Sequence, residues 1–292
     1  MSFKVIGLGE VLWDLLPAGP QLGGAPANFV CHAHTLGADA RLISRIGHDE
    51  WGRKAIEALE RLGVPTDGIE VDPVLPTGTV AVAVDQHGQP NFAIHEHVAW
   101  DAIRGEPAGR AAMADADAVC FGTLAQRSEP SRSTIRSLLA LAPATALRIL
   151  DVNLRQHYFS SRLVEESLTL ANVLKVNDAE LPRLAEMFGL KGDVRSQISA
   201  LSARYDLRWV ACTRGGHGSL LCSGGQWSDH PGIETQVVDT VGAGDSFTAA
   251  MTLGLLAGWD LDRVNERANQ VAAYVCSCAG ATPPLPSQLR DM

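Results

Sequence analysis

A glycine-rich turn followed by an acid is the strongest chemical signal in the sequence. Residues 239–245 read Asp-Thr-Val-Gly-Ala-Gly-Asp, and a helix-like run of small residues follows. The unpaired amides of Gly242, Ala243 and Gly244 would converge on an anion at the helix start, and glycine lets a phosphate approach the backbone. Asp245, directly after this anion cradle, would take the proton from an attacking hydroxyl in phosphoryl transfer. A plain helix start with Asp245 placed for the helix dipole fits the same residues, so chemistry alone leaves both interpretations open.

Three further polar positions follow apolar runs. Asp14 has a carboxylate that can accept hydrogen bonds from two hydroxyls, or it is a surface acid in a turn. Asn177 and Glu180 follow a strand-like run and open a helix, so they fit a reciprocal helix cap. The loop Thr213 to Gly218, Thr-Arg-Gly-Gly-His-Gly, fits a hairpin turn or a place where a ligand lies on the backbone.

The framework for these residues is an alternation of short apolar runs with helical patterns. Strands are predicted at 5–8, 41–44, 118–121, 148–152, 173–176 and 209–213. Helices are predicted at 26–36, 50–62, 131–141, 162–170, 179–188, 195–205 and 263–277. This rhythm predicts an α/β fold built on a doubly wound, mainly parallel sheet that is covered on both faces.

Two stretches break the rhythm and predict a small β lid. Residues 79–84 and 91–97 alternate apolar and polar side chains around a turn at 85–88, which indicates an antiparallel hairpin. We therefore assign 10–22 and 74–103 to the lid. The α/β core then consists of residues 1–9, 23–73 and 104–292.

Composition narrows the class of protein. The 292 residues carry a formal net charge of −9 without any run of Lys or Arg, so nucleic acid and anionic membranes are not expected partners. No apolar stretch of about 18 residues is present, and the N-terminal residues lack the plan of a signal peptide. Six cysteines show no C-x-x-C spacing, which favours free thiols and a cytoplasmic location.

The glycine-rich motif resembles the C-terminal signature of the ribokinase-like PfkB carbohydrate kinases. The N-terminal half agrees with that family. Residues 23–28, Gly-Gly-Ala-Pro-Ala-Asn, the pair Leu36-Gly37 and residues 45–52, Arg-Ile-Gly-His-Asp-Glu-Trp-Gly, resemble its first signature. The two signatures occur in order, and the resemblance is collinear from residue 7 to residue 286. The bacterial fructokinase branch is the most similar, through Gly9-Glu10, Asp14 and residues 151–155, Asp-Val-Asn-Leu-Arg.

The resemblance implies an ATP-dependent sugar kinase with Asp245 as the base and the anion cradle around the transferred group. The residues that it places on the sugar are Asp14, Gly23, Gly24, Asn28, Arg155 and Asp245. Those that it places on the nucleotide are Asn177, Thr213, Gly215, Gly218, Gly244 and Asn269.

The resemblance also implies ions and partners. Glu180 would orient the water shell of Mg²⁺, an ion that usually keeps several waters. The side chain of Asp239 and the carbonyls of Val241 and Gly280 stand where many members bind a monovalent cation such as K⁺. Cys278 and Pro284 depart from the usual pattern nearby, so the sequence leaves that site open. A homodimer through the lid is left open as well.

Several alternatives remain within and outside this class. The expected reaction is fructose to fructose 6-phosphate, with 2-keto-3-deoxygluconate as the rival substrate. That rival has a carboxylate, which requires Arg, Lys or Tyr donors, and the lid stretch 91–100 has none, which leaves Arg155. A non-catalytic sugar-binding regulator would lack the base, the cradle or the metal acid. A dehydrogenase is disfavoured because Leu12 replaces the third glycine after Gly7 and Gly9.

Overall fold

The computed structural model describes residues 2–17, 19–84 and 90–290. The strands are β1 (Lys4–Leu8), β2 (Leu12–Leu16), β3 (Gly19–Gly23), β4 (Asp39–Gly47), β5 (Ile69–Asp72), β6 (Gly78–Val84), β7 (Pro90–Ile94), β8 (Ala118–Phe121), β9 (Leu147–Asp151), β10 (Val173–Asn177), β11 (Trp209–Thr213), β12 (Ser219–Ser223) and β13 (Gln226–His230). The helices are α1 (Ala25–Thr35), α2 (Glu50–Arg61), α3 (Pro107–Ala114), α4 (Glu129–Leu139), α5 (Ser161–Leu170), α6 (Leu181–Phe188), α7 (Val194–Tyr205), α8 (Ala243–Leu256) and α9 (Leu261–Cys276).

A large sheet with strand order β13-β12-β11-β10-β9-β8-β1-β4-β5 forms the centre of the molecule. Neighbours from β11 to β5 are parallel, whereas β12 and β13 pair antiparallel at one edge. Val5 packs into one buried apolar cluster, with α1, α8 and α9, while its neighbour Ile6 packs into another with α4 to α7. Both faces are therefore covered, which explains the continuous apolar strands and confirms the predicted fold class.

The strand order reverses between β1 and β8. The chain moves from β1 outward to β4 and β5, and then from β8 through β9 and β10 to β11 on the other side. Ligands of open α/β sheets bind outside the carboxyl ends of the strands at such a reversal. Glu10 lies just beyond β1, while Asp151 and Asn177 end β9 and β10, so polar side chains collect at this edge.

A second, small sheet has the order β3-β2-β6-β7. The predicted antiparallel pairing of β6 with β7 is confirmed, with Val80 opposite Ile94, whereas its predicted turn at 85–88 lies outside the described residues. The strand β7 ends at Ile94 rather than at His97, because His97 has a φ of 57°, which a strand does not accept. Residues 10–22, for which no strand was predicted, form β2 and most of β3, and β2 pairs in parallel with β6.

Element boundaries differ from prediction where long-range pairing decides them. The strand β4 extends over nine residues, because β1 and β5 pair with its two ends. The strands β8 and β11 match the predicted ranges. The described residues also form α3, β5 and β13, which were not predicted. No helix in this part of the chain is both long and apolar enough to cross a bilayer.

Candidate active site

Asp245 lies in the first turn of α8, and its partner comes from the other end of the chain. The amide of Asn28 in α1 donates a hydrogen bond of 2.8 Å to the Oδ2 atom of Asp245. The two residues are 217 positions apart, and the packing of α1 against α8 brings them together. The predicted base and one predicted sugar residue therefore share one site.

Burial makes the Asp245 carboxyl a weaker acid. Burial, together with the nearby charge of Asp151, raises the pKa of Asp245 to about 6. The hydrogen bond from Asn28 and the charges of Lys175 and Arg155 act in the opposite direction. At neutral pH the group is therefore mostly ionised, with a proton affinity close to the working pH, which suits a general base.

The anion cradle begins with a glycine, Gly242, and any side chain at this position would displace the main chain. Gly242 has a φ of 78°, and a Cβ atom there would lie 2.1 Å from the carbonyl oxygen of Ala281. The Nε2 atom of buried His32 donates to that same carbonyl at 2.9 Å. Burial lowers the pKa of His32 to about 4, so the ring is neutral at physiological pH and the cradle is supported from α1.

Asp14 faces the glycine pair that was predicted to lie on the sugar. A Cβ atom on Gly23 would lie 2.4 Å from the Oδ2 atom of Asp14, so the glycine makes room for this carboxylate. Gly24 has a φ of 104°, and a Cβ atom there would lie 2.5 Å from the carbonyl oxygen of Glu10. Burial raises the pKa of Asp14, and the charge of Arg155 lowers it. The structure thus brings Asp14, both glycines and Arg155 together.

Glu10 is an acid of the site to which we had assigned no role. Its side chain is buried, and its Oε2 atom has no hydrogen-bond partner among the described residues. Burial raises the pKa of Glu10 to about 7, while Arg155 lowers it and Asp245 raises it. The positive charge of the exposed Arg155 side chain lowers the pKa of each of three acids, Glu10, Asp14 and Asp245. Its guanidinium also donates a hydrogen bond to Asn153 at 2.8 Å.

Asn177 and Glu180 form the predicted reciprocal cap at the start of α6. The side chain of Asn177 accepts from the amide of Glu180 at 2.8 Å, and the Oε2 atom of Glu180 accepts from the amide of Asn177 at 3.0 Å. Its Oε1 atom accepts from the amide of Leu154 at 3.0 Å. Because a carboxylate oxygen has two lone pairs, each oxygen can also accept from a water, so Glu180 fits a hydrated Mg²⁺. The predicted helix start at residue 179 moves to 181 because of this cap.

Metal chemistry at this site depends on the nucleotide as well as on the protein. Within residues 2–17, 19–84 and 90–290, no group of three or more His, Cys, Asp or Glu side chains could hold a metal ion. Mg²⁺ is commonly bound through one or two carboxylates together with substrate phosphates, and this donor set fits that pattern.

The loop 213–218 connects the antiparallel strands β11 and β12 through one turn of 3₁₀ helix. Gly215 faces open space, with no atom within 4 Å of a Cβ built there. Gly218 is different, because its Cβ atom would lie 2.1 Å from the carbonyl oxygen of His230. Packing against the end of β13 therefore requires a glycine at position 218, whereas Gly215 and Gly216 face open space.

Asn269 belongs to a buried polar network between α9 and β12. Its amide nitrogen donates to the Oγ atom of Ser219 at 2.7 Å and to the carbonyl of Asn265 at 2.8 Å. The nitrogen is therefore occupied by the protein, and the amide oxygen is the atom left for a base. Contact with adenine stays a prediction.

The three residues predicted for a monovalent cation do lie together. The Oδ1 atom of Asp239 accepts from the amide of Val241 at 3.0 Å, and its Oδ2 atom accepts from the amide of Gly280 at 3.1 Å. These bonds fix the loop before α8 against the segment after α9. Binding of an ion there stays a prediction.

A buried ion pair under the cradle was not predicted. The ammonium of Lys175 in β10 lies 3.1 Å from the Oδ1 atom of Asp151, and both side chains are 5% exposed. The hydroxyl of Thr248 in α8 donates to the Oδ2 atom of Asp151 at 3.0 Å. A lysine inside an otherwise apolar strand was the signal that could have revealed this pair.

A buried carboxylate beside a glycine-rich helix start, at the strand-order reversal of a parallel sheet, fits the transfer of a phosphoryl group to a hydroxyl. The pattern of the pfkB family carbohydrate kinases matches residues 20–288. The chain belongs to this family, and it is an ATP-dependent sugar kinase.

Similar proteins cover nearly the whole chain. A fructokinase of Klebsiella pneumoniae is 30% identical over 294 residues, which cover 97% of this chain and 94% of the relative. A sugar kinase of Pyrococcus horikoshii in complex with ATP is 30% identical, with a TM-score of 0.83 over 95% of this chain and 94% of that one. The fructokinase of Vibrio cholerae with fructose, ADP and calcium has a TM-score of 0.82 over 97% and 96%, and at 24% identity it supports the fold.

Proposed function

We propose that this kinase transfers the γ-phosphoryl group of ATP to the 6-hydroxyl of D-fructose. The observation that carries the choice of sugar is the charge of the site, where Glu10, Asp14 and Asp245 share one guanidinium, that of Arg155. Carboxylates accept hydrogen bonds from sugar hydroxyls, whereas excess negative charge repels a carboxylate on the substrate. A neutral sugar is therefore favoured over 2-keto-3-deoxygluconate.

Two other cations do not change this balance. Lys175 acts on Asp245, but its charge is balanced by Asp151 at 3.1 Å. Arg127 approaches the end of the small sheet, but it forms a two-bonded ion pair with Asp101 at 2.8 Å and donates to the carbonyl of His95. The hydroxyl oxygen of Tyr158 lies 3.0 Å from the Oε1 atom of Glu96 and 3.2 Å from the carbonyl oxygen of Ile94, so its single proton is shared between these acceptors. The Nε and Nη2 donors of Arg127 and the hydroxyl of Tyr158 are therefore engaged within the protein, and the Nη1 atom of Arg127 is buried. The fructokinase names of the relatives support the same substrate.

In the proposed reaction, Asp14 and Asn28 orient the sugar with the glycine pair and Arg155. Asp245 takes the proton of the 6-hydroxyl as the sugar oxygen attacks the γ-phosphorus. The amides of Gly242 and Gly244 in the anion cradle donate to the phosphoryl oxygens. The amide of Ala243, expected to be unpaired, donates to the carbonyl of Thr240 at 3.3 Å and would have to exchange this bond to join them. Glu180 would hold the water shell of Mg²⁺, which when bound would neutralise charge on the phosphates.

The nucleotide is expected at the other end of the cradle. The residues proposed to line its site are Asn177, Thr213, Gly215, Gly218, Gly244 and Asn269. The loop that Asp239, Val241 and Gly280 fix is the proposed place for a K⁺ ion. These assignments rest on the family pattern together with the geometry of the loops.

The small sheet is proposed to act as a lid over the sugar. Asp14 lies on this sheet and Asp245 on the large domain, so closing the two together would exclude water as a competing acceptor. The indole of Trp13 on β2 donates to the carbonyl of Trp51 on α2 at 2.9 Å, which ties the sheet to the core on its other side. The homodimer through this lid stays a prediction.

A coupled ADP-release assay tests the substrate. We expect D-fructose to show a kcat/KM at least about tenfold above those of 2-keto-3-deoxygluconate, ribose, glucose, mannose and adenosine, a difference of about 1.4 kcal/mol. Phosphorus NMR of the product should show phosphate on carbon 6. A higher kcat/KM for 2-keto-3-deoxygluconate would overturn the assignment of the sugar. If no sugar or nucleoside in this set caused ADP release, every substrate in the set would be excluded.

A further inference from the structure

Lys175 is a buried cation that the mechanism above does not use. It lies in β10, in register with Asp151 of the neighbouring strand β9. Its side chain is 5% exposed, and its ammonium donates to the Oδ1 atom of Asp151 at 3.1 Å. Lysine is rarely buried to this extent without a specific role for its charge.

The ammonium of Lys175 lies directly against the anion cradle. A Cβ atom built on Gly244 would lie 3.1 Å from the Nζ atom of Lys175, so the ammonium occupies the space beside that glycine. An ammonium has three N–H donors, and Asp151 accepts one of them. Because Gly244 has no side chain, the space between the ammonium and a bound phosphoryl group stays open.

Asp151 is itself held in place. Thr248 donates to its Oδ2 atom at 3.0 Å, while Lys175 donates to its Oδ1 atom. The same hydroxyl lies 2.9 Å from the carbonyl oxygen of Gly244, so its single proton is shared between the two acceptors, and this contact links the ion pair to the cradle. The position of the ammonium is therefore fixed relative to the residues that surround the transferred group.

The charges around Lys175 keep it protonated. Burial lowers the pKa of Lys175, but the carboxylates of Asp151, Glu180 and Asp245 raise it by more, so the pKa lies above its ordinary value. A cation that stays charged in a buried site gives strong hydrogen bonds to an anion, because the local dielectric constant is low.

We propose that Lys175 is a catalytic residue whose ammonium donates hydrogen bonds to the γ-phosphoryl oxygens of ATP during transfer. The inference rests on the proposed function and adds a residue to it. The bond between the γ-phosphorus and the bridging oxygen breaks, and its electron pair leaves with ADP. The sugar oxygen forms the new bond to phosphorus, its proton goes to Asp245, and Lys175 keeps its own protons throughout.

The rate at high pH separates this role from an indirect one. The charge of Lys175 also lowers the pKa of Asp245, so Lys175→Met should shift the acid limb of the kcat profile to higher pH in either case. If Lys175 contacts the phosphoryl group, the plateau above pH 8 should also fall by roughly 10² to 10³, the usual value of one such donor. A plateau equal to that of the parent would overturn the proposal. Lys191→Met, at an exposed lysine, is the matched control.

Nucleotide binding without sugar gives a second readout. In the presence of Mg²⁺, Lys175→Met should weaken β,γ-imido-ATP at least about tenfold more than ADP, because only the former has a γ-phosphoryl group. Equal losses for the two nucleotides would contradict the contact. Since no sugar is present, these nucleotide affinities do not depend on the identity of the sugar substrate. A wrong choice of sugar would instead appear as a low kcat/KM of the parent enzyme with fructose.

A paired variant controls for folding. Removing the ammonium leaves the Asp151 carboxylate buried without its partner, which destabilises proteins strongly. Lys175→Met with Asp151→Asn removes both charges, and the new amide oxygen still accepts from Thr248. This double variant should melt within a few degrees of the parent. Its affinity for β,γ-imido-ATP relative to ADP should still be lower than that of the parent. A folded double variant with the same ratio of affinities for β,γ-imido-ATP and ADP as the parent would contradict the proposal.

Discussion

At the scale of single residues, the site is organised around acids that burial makes weak. Asp245 and Glu10 have pKa values raised to about 6 and about 7, in each case chiefly by burial. The hydrogen bond from Asn28 and the positive charge of Arg155 lower the pKa of Asp245 and so limit this rise. This balance keeps Asp245, the proposed base, ionised at neutral pH, while its proton affinity is higher than that of an exposed aspartate.

The pH profile should report Asp245 directly. Because the base must be deprotonated, kcat/KM should fall about tenfold per pH unit below an inflection near pH 6 and level off above it. Steady-state kinetics with the sugar between pH 5 and 8.5 measures this profile. Asn28→Leu, which removes a bond that lowers the pKa, should move the inflection to higher pH. A kcat/KM that stays flat from pH 5 to pH 8.5 would refute this role.

Asp14→Ala tests the sugar end of the site. Each lost hydrogen bond to a charged group weakens binding by about 1.5 to 3 kcal/mol, so the sugar KM should rise strongly. The ATP Kd, measured without sugar, should barely change, because Asp14 lies on the small sheet. Equal losses for both ligands, or an unchanged sugar KM, would show that Asp14 does not hold the sugar. Melting temperatures of the same preparations exclude a general folding defect.

Residue types and spacing suggested the base and the cradle, and the family resemblance added the glycine pair, but neither predicted the contacts between distant segments. The pairing of Asn28 with Asp245 joins positions 217 apart, and only packing of α1 on α8 creates it. Lys175 was visible as a charge in an apolar strand, but its pairing with Asp151 depends on the register of β9 with β10, which the sequence alone does not give. The close approach of Gly218 to the carbonyl of His230 was not predicted either, because it comes from the end of β13.

At the scale of elements, local pattern was sufficient where a strand is buried on both faces. The strands β8 and β11 match their predicted ranges, because a short apolar run between turns fits little else. The strands β2 and β3 were missed. They are held by pairing with each other and with β6, and their sequence carries glycine, proline and mixed polarity that no local rule reads as a strand.

The start of α8 should tolerate no side chain at Gly242. Gly242→Ala would bring a Cβ atom 2.1 Å from the carbonyl of Ala281, so the cradle must shift and kcat should fall by about 10² or more. Gly258→Ala is the matched control, since Gly258 also has a positive φ, 71°, with no atom within 4 Å. That variant should bear only the backbone strain, about 1 to 2 kcal/mol, and keep its rate. Similar kcat values for two folded variants would contradict the cradle.

At the scale of the whole molecule, α1 links both halves of the site to the global stability of the fold. It supplies Asn28 to the base and His32 to the carbonyl behind the cradle. Burial lowers the pKa of His32 from 6.5 to about 4. The unfolded chain therefore binds a proton at this residue over a pH range in which the folded chain does not.

His32→Gln should flatten the acid side of the stability curve. Below about pH 6.5 the unfolded chain gains the proton, so the parent loses stability as the pH falls toward 4, by roughly 3 kcal/mol from this residue. Glutamine can still donate to Ala281 and does not titrate. Urea unfolding at several pH values measures both proteins. Asp245 and Glu10 contribute equally to the pH dependence of the parent and of the variant. If the free energy of unfolding fell in parallel with pH for both proteins, His32 would not be buried in its neutral form.

Asp245→Asn is the most direct measurement of whether Asp245 is the base of a sugar kinase. The substitution keeps the shape of the side chain and removes its ability to take a proton. We predict that kcat with fructose and MgATP falls by roughly 10² to 10⁴, while ADP affinity and the melting temperature stay close to those of the parent. A purified, folded variant that retains more than about a third of the parent kcat would contradict the assignment of the base.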